Sequence, residues 1–293
     1  MARWEIRRLG YALGAEVRGI DLSGPLDLAA LRAIRDAWLE HLALCFPDQR
    51  LNKERFVAFS RAFGEAFGDE IEELRNRKTA DPENRHIFFL TNQAVAGKPW
   101  DGYKEGQAWH SDLAFSRRPA TASILYALHV PDAGGTTIFA NQYLAYDALS
   151  SAMKALLRDL STIQDISLTK NIGIQSAAVV SNVQTEFPPV EQPLVRIHPE
   201  TQRPALFIGG RARRIVGMSN EESRPLLDYL SEHAVKYEFT YRHAHRPNDV
   251  FMWDNRCLMH MAPCDYDMTR EPRHMWRSTL LGRPTGTLAG LAI

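Results

Sequence analysis

The chain has 293 residues, of which 35 are Lys or Arg and 35 Asp or Glu, so its formal net charge is zero. A neutral chain has no general grip on a polyanion, which argues against nucleic acid as a partner, and 45% hydrophobic with 24% charged residues argues against disorder. Three cysteines without a CxxC exclude a disulfide scaffold and a cysteine zinc site; with neither a signal-like apolar start nor a stretch of about 20 apolar residues, a cytoplasmic protein without a membrane partner is expected.

In chain order, the β-rich run EVRGIDL is followed by a helix over 27–44, where Leu28, Leu31, Ile34, Trp38 and Leu42 form one apolar stripe. ALCFP then precedes a second helical segment, 53–66. HIFFLTN, TASILYALHV and GTTIFAN read as strands, then 143–160 as a helix, then PLVRIH and PALFIGG as strands. The segment 219–236 is helical and opens with SNEE as a capping signal; YEFTYRHAH, DVFMWDN and MWRSTLLG are the last strands. About ten short strands punctuated by Gly and Pro predict an antiparallel sandwich or barrel with flanking helices, in a single domain over 1–293. No GxGxxG follows a strand, so a doubly wound nucleotide fold is not expected. Two long loops, near 68–85 and 171–192, are read either as lids over a site or as surface insertions.

Ten histidines raise the question of a metal, but about one His-x-Asp/Glu is expected by chance in such a chain. His198-Pro199-Glu200 is followed by Thr-Gln-Arg-Pro and reads as a turn between strands. His110-Ser111-Asp112 lies in AWHSDLAF, a β-compatible run whose positions i and i+2 would project to one side. His260, in VFMWDNRCLMHMAP, is the best third ligand. Two His and one carboxylate leave open positions and match the donor set of non-haem Fe(II) oxygenases. The histidines at 41, 86, 129, 233, 243, 245 and 274 have no such partners in sequence and read as surface or core positions. Downstream, PRHMWRSTLLG carries Arg273 and Arg277 on one strand face with Met275 between them. Two guanidinium groups aimed into one cavity call for carboxylates, which they grip as bidentate forks; the alternative is snorkelling to solvent or pairing with Asp265 or Asp267.

With these residues on the page, the chain resembles the taurine dioxygenase and 2,4-dichlorophenoxyacetate dioxygenase family of Fe(II)- and 2-oxoglutarate-dependent enzymes. The resemblance begins at ALGAEVRGIDLSGPL and LCFPDQRL. It runs through FSRAFGE, WHSDLAF, GGTTIFAN, HPETQRPALFIGG and WDNRCLMH to RHMWRSTLLGRP. It implies a double-stranded β-helix, a cupin-like jelly roll with flanking helices. It also implies that His110, Asp112 and His260 hold iron, that Thr137 and Arg273 bind the remote carboxylate of 2-oxoglutarate, and that Arg277 holds the substrate's acid group. Two departures set the chain apart from the taurine enzyme: AFGDEIEE stands where that enzyme has a substrate-binding histidine, and KEGQAWHSD lacks its asparagine ahead of the Trp-His pair. The ending and the WDNRCLMH segment look more like the aryloxyalkanoate-cleaving branch.

The resemblance implies hydroxylation of a small organic acid at the expense of O2 and 2-oxoglutarate, with succinate and CO2 released, in an enzyme expected to be a homo-oligomer. The substrate expected is an aryloxyalkanoate or another carboxylate with an apolar body; a sulfonate or sulfate ester is the alternative within the family. Outside it stand a non-oxidative metal enzyme on a similar barrel, which would not need Thr137 and Arg273, and a non-catalytic small-acid binder using the arginines alone.

Overall fold

A computed structural model describes residues 4–68, 80–95, 97, 106–168, 181, 184–185 and 187–288. The chain opens with β1 (Glu5–Arg8), β2 (Ala15–Arg18), α1 (Leu28–His41), β3 (Ala43–Phe46) and α2 (Lys53–Arg61). There follow β4 (Phe88–Thr91), β5 (Ala120–His129), β6 (Thr137–Asn141), α3 (Gln142–Asp147) and α4 (Ser151–Leu157). Short strands β7 (Ser161–Gln164), β8 (Val190–Pro193), β9 (Val195–Ile197), β10 (Pro204–Leu206) and β11 (Ala212–Ile215) lead to α5 (Asn220–His233). The chain closes with β12 (Thr240–His243), β13 (Val250–Asp254), β14 (Leu258–Met261), β15 (His274–Leu281) and β16 (Thr287–Leu288).

A seven-stranded sheet runs β1-β2-β3-β13-β5-β15-β4, and smaller sheets run β12-β6-β14 and β11-β7-β8-β16. Strict alternation gives the large sheet two apolar faces. Leu44, Phe46, Ile124, Tyr126, Val250, Met252 and Leu280 face outward under Trp38 of α1 and Phe56 and Phe59 of α2. Ala43, Cys45, Leu125, Ala127, Phe251, Trp253 and Met275 face inward and meet Phe139 of β6 and Leu258 of β14. The Phe139 ring lies 5.1 Å from Phe251 and 5.4 Å from Trp253, so the two sheets close on each other through aromatic contacts. This is the jelly-roll sandwich with helices on one outer face that the strand count and the resemblance imply.

Local signals explain where the expected helices stop. Asp27 caps α1, and Leu42 takes a left-handed φ of 65° and donates to Trp38, which turns the chain into β3 three residues before the expected end. The expected helix 143–160 is broken into α3 and α4, with Ser150 accepting from Met153 N as a new cap. SNEE does form a capping box, Ser219 with Glu222, at the head of α5. YEFTYRHAH begins as a single 3-10 turn, Tyr237–Phe239, before β12. The proposed lid loops fall largely on 69–79 and 169–180, outside the described residues. Among the described residues, no helix is long and apolar enough to cross a membrane.

Candidate active site

His110 and His260 are locked together by their backbones. His110 N donates to His260 O at 3.1 Å, His260 N donates to His110 O at 2.8 Å, and the rings lie 4.3 Å apart. His260 comes from β14, a strand of four residues not foreseen in the sequence. Gly209 stands opposite this bridge, where a Cβ would crowd it, sitting 3.0 Å from Trp109 O and 3.4 Å from His110 Cα.

Asp112 reaches the histidines by a route other than the expected one. His110 is an isolated bridge residue, and the chain after it enters a turn in which Leu113 has a φ of 52°. The i, i+2 strand argument for His110 and Asp112 is therefore corrected, although the outcome it foresaw stands. Asp112 Oδ1 lies 3.6 Å from His110 Nε2 and Oδ2 lies 3.9 Å from His260 Nε2. Ligand atoms of all three residues fall within 4.8 Å of one another.

The protonation states suit a cation. His110 Nδ1 sits 2.7 Å from Ala108 O, which places its proton there and frees the Nε2 lone pair. Burial, and then His110 beside it, lower the His260 pKa to about 3, so its imidazole is neutral at neutral pH. Burial pushes the Asp112 carboxyl up, but His260, His110 and Arg277 more than reverse this and hold it well below the usual range. Two imidazoles and one carboxylate form a donor set that fits Fe(II).

A polar chain fixes the carboxylate. Ser123 Oγ donates to Asp112 Oδ2 at 2.5 Å, Asn255 Nδ2 donates to Ser123 Oγ at 2.9 Å, and Trp253 Nε1 donates to Asn255 Oδ1 at 3.1 Å. Asn255 Oδ1 also accepts from Asp112 N at 3.2 Å. Ser123 and Asn255 were not singled out in the sequence, though Asn255 lies in the WDN segment.

The two arginines stand in different surroundings. Arg277 Nη1 approaches Asp112 Oδ1 at 4.0 Å, while its buried Nε has no hydrogen-bond partner among the described residues. Arg273 lies just ahead of β15, is buried, and donates from Nε to Gly135 O at 3.2 Å. Among the described residues no carboxylate lies within ion-pair distance of it. Asp265 is engaged by Arg242 at 2.8 Å and by Thr136 at 2.7 Å, and Asp267 faces Thr269 at 2.6 Å and Arg270 at 3.5 Å, so neither serves as the alternative partner. Thr137, at the start of β6, contacts His245 Nε2 at 2.9 Å. Phe139, two residues and about 7 Å further along the strand, pairs with His260 and stacks on its ring at 6.0 Å. Strand β6 thus carries Thr137 near one end and, two residues on, the ring that backs His260.

Other histidines have structural work. His198 Nε2 meets Asp254 Oδ2 at 3.1 Å, and its Nδ1 accepts from the backbone of Glu200 and Thr201 at 3.2 and 3.1 Å, the turn expected there. Cys45, His243 and Asp249 also cluster, but Arg246 Nε already holds Asp249 at 3.0 Å and burial keeps the Cys45 thiol protonated, so this is a polar knot of the core.

The profile of the family described as "Taurine catabolism dioxygenase TauD, TfdA family" matches residues 5–279. The (S)-phenoxypropionate/alpha-ketoglutarate-dioxygenase of Delftia acidovorans is 35% identical over 96% of this chain and 96% of its own. An alpha-ketoglutarate-dependent sulfate ester dioxygenase of Pseudomonas putida is 30% identical over 96% of this chain and 91% of its own. The crystal structure of AAD-2 in complex with Mn(II) and N-oxalylglycine superimposes with a TM-score of 0.80 at 32% identity, covering 97% of this chain and 99% of that one.

Proposed function

The chain belongs to the taurine catabolism dioxygenase TauD, TfdA family of Fe(II)- and α-ketoglutarate-dependent dioxygenases, and from that premise we propose that it hydroxylates a small organic acid with an apolar, aryloxyalkanoate-like body. The observation that carries this reading is Arg277: a guanidinium at the edge of the metal-ligand cluster, with a buried Nε lacking any partner among the described residues. A buried donor of this kind is costly unless an anion meets it. Next to it in β4 stands Phe88, its register partner, which packs with Leu113 and Phe115 in an apolar cluster. An anionic head and an aromatic or aliphatic tail satisfy both surfaces.

In this reading His110, Asp112 and His260 hold the metal, and Thr137 and Arg273 hold the remote carboxylate of 2-oxoglutarate. Bound there, Fe(II) supplies the oxidising chemistry that couples O2 and 2-oxoglutarate decarboxylation to C–H hydroxylation. The protein's own part is positional. Ser123 and Asn255 fix Asp112, Arg277 orients the substrate by its acid group, and the Phe88–Phe115 cluster keeps water from the reacting carbon. A single catalytic domain, a homo-oligomer and a cytoplasmic setting go with this reading; three free cysteines fit a reducing compartment, and light scattering tests the assembly.

The sulfate ester dioxygenase among the relatives supports a second reading, because a guanidinium fork accepts a sulfate as readily as a carboxylate. Succinate release across a panel of aryloxyalkanoates, alkyl sulfates, sulfonates and short-chain acids separates the two. Turnover with aryloxy acids supports the first, turnover confined to sulfates or sulfonates the second, and turnover without any acidic substrate defeats both.

A further inference from the structure

Residue 245 reads in the sequence as one more core or surface histidine, yet in the fold it stands against Thr137, one of the two residues assigned above to 2-oxoglutarate. His245 is buried, two residues past β12, and its ring is pinned by His243 at 4.6 Å and Phe251 at 5.9 Å. Its Nε2 lies 2.9 Å from Thr137 Oγ1, while its Nδ1 is buried without a partner among the described residues. This pattern decides the tautomer. A proton on Nδ1 would bury an unpaired N–H, whereas a proton on Nε2 has Thr137 as its acceptor. Burial, and then the neighbouring His243 ring and the Arg273 guanidinium, hold the imidazole neutral, so no second ring proton is available.

Once Thr137 Oγ1 accepts from His245, its own proton must point elsewhere, and among the described residues no backbone or side-chain acceptor takes it. The Arg273 guanidinium, which meets only the Gly135 carbonyl there, is the other donor of this pocket. We propose that His245 is a positioning residue for the cosubstrate: by donating Nε2–H to Thr137 it turns the threonine hydroxyl into an obligate donor that, with Arg273, selects a 2-oxo acid bearing a remote carboxylate. The inference rests on the assignment of Thr137 and Arg273 to 2-oxoglutarate made above.

The test is binding of N-oxalylglycine and of 2-oxoglutarate to the Mn(II)-loaded protein by calorimetry, with no turnover involved. Thr137→Val should weaken binding about tenfold, the loss of one hydrogen bond to a charged group. His245→Met, which keeps bulk but removes the donor, should cause a loss of similar size. The double variant should bind no worse than Thr137→Val alone, because both substitutions remove the same interaction. His245→Gln, whose amide nitrogen can take the place of Nε2, should restore most of the affinity. Should His245→Met not accumulate as folded protein, His245→Asn replaces it, since its amide reaches only the Nδ1 position. Additive losses in the double variant, or an unchanged affinity in His245→Met beside a weakened Thr137→Val, overturn the role of His245 and leave the pocket assignment standing. Unchanged affinity in both Thr137→Val and Arg273→Ala overturns the pocket assignment and the inference with it.

Discussion

Ser123→Ala isolates the part of the metal site that belongs to the protein alone. The substitution removes the hydroxyl that donates to Asp112 Oδ2 at 2.5 Å and that accepts from Asn255 at 2.9 Å, in a residue with no exposed surface. A hydrogen bond to a charged group contributes about 1.5–3 kcal/mol, and each 1.4 kcal/mol is about a factor of ten in affinity. The expected loss in metal affinity is therefore about 10- to 100-fold, the range usual when a partner behind a metal ligand is removed. Asp112 remains in place through its backbone bond to Asn255, so the donor set survives and only its orientation loosens. Mn(II) titration by calorimetry, with thermal unfolding of the metal-free protein alongside, reads the effect. Mn(II) affinity within threefold of wild type, in a variant of unchanged metal-free stability, would show that Ser123 does not hold the carboxylate for the metal.

Arg277→Gln should lower kcat/KM for the acid substrate by about 10²-fold or more, the scale of a charge deprived of its partner, and abolish the preference for the acid over its amide while 2-oxoglutarate binding persists. Arg256→Met leaves Asp254, whose pKa Arg256 and His198 lower to about 2 against the effect of burial, as a buried carboxylate without its guanidinium partner; a loss of about 3 kcal/mol in denaturant unfolding is expected, and adding Asp254→Asn should recover most of it. Burial lowers the His243 pKa to about 3, so its contribution to stability is complete above the unfolded value of about 6.5 and declines as pH falls toward 3, by about 1.4 kcal/mol per pH unit. His243→Phe should accordingly flatten the stability difference between about pH 7.5 and pH 5 by about 2 kcal/mol, and an unchanged slope in denaturant titrations would contradict the assignment.

Much of the jelly roll was legible because its large sheet is covered on both faces and therefore alternates two apolar sets, as in Ala43-Leu44-Cys45-Phe46 and Val250-Phe251-Met252-Trp253. Strand β14 was not, since four residues between the turn after Asp254 and the Met261-Ala-Pro segment carry too little pattern for a period to show. The metal-ligand cluster could be read as residue types at suggestive spacing, yet His110 and Asp112 meet through a turn, a geometry that the i, i+2 rule does not contain. Ser123, Asn255 and His245 escaped notice for a different reason. Their hydrogen bonds span 11, 132 and 108 residues of sequence, and a polar residue whose partner arrives from another strand leaves no local mark.

The charges gathered at the site carry the argument for an acidic substrate beyond resemblance. The chain as a whole is neutral, so attraction for anions must be built locally. At the site, burial makes His260 neutral and leaves Asp112 as the one carboxylate of the cluster, and a bound metal dication would take that carboxylate for itself. On the proposed reading Arg273 would meet the remote carboxylate of the cosubstrate, a pairing that one diacid completes by itself. Arg277 would be left facing a metal-occupied Asp112 at 4.0 Å, with a buried Nε lacking a partner among the described residues. A neutral substrate would leave that guanidinium desolvated beside a metal cation, which is unfavourable on both counts. An anionic substrate would relieve both and would thereby be drawn to the position next to the metal proposed for hydroxylation. On that reading Arg277 would supply affinity and orientation through the same contact, and the apolar Phe88–Phe115 cluster would be left to choose among acids by their tails.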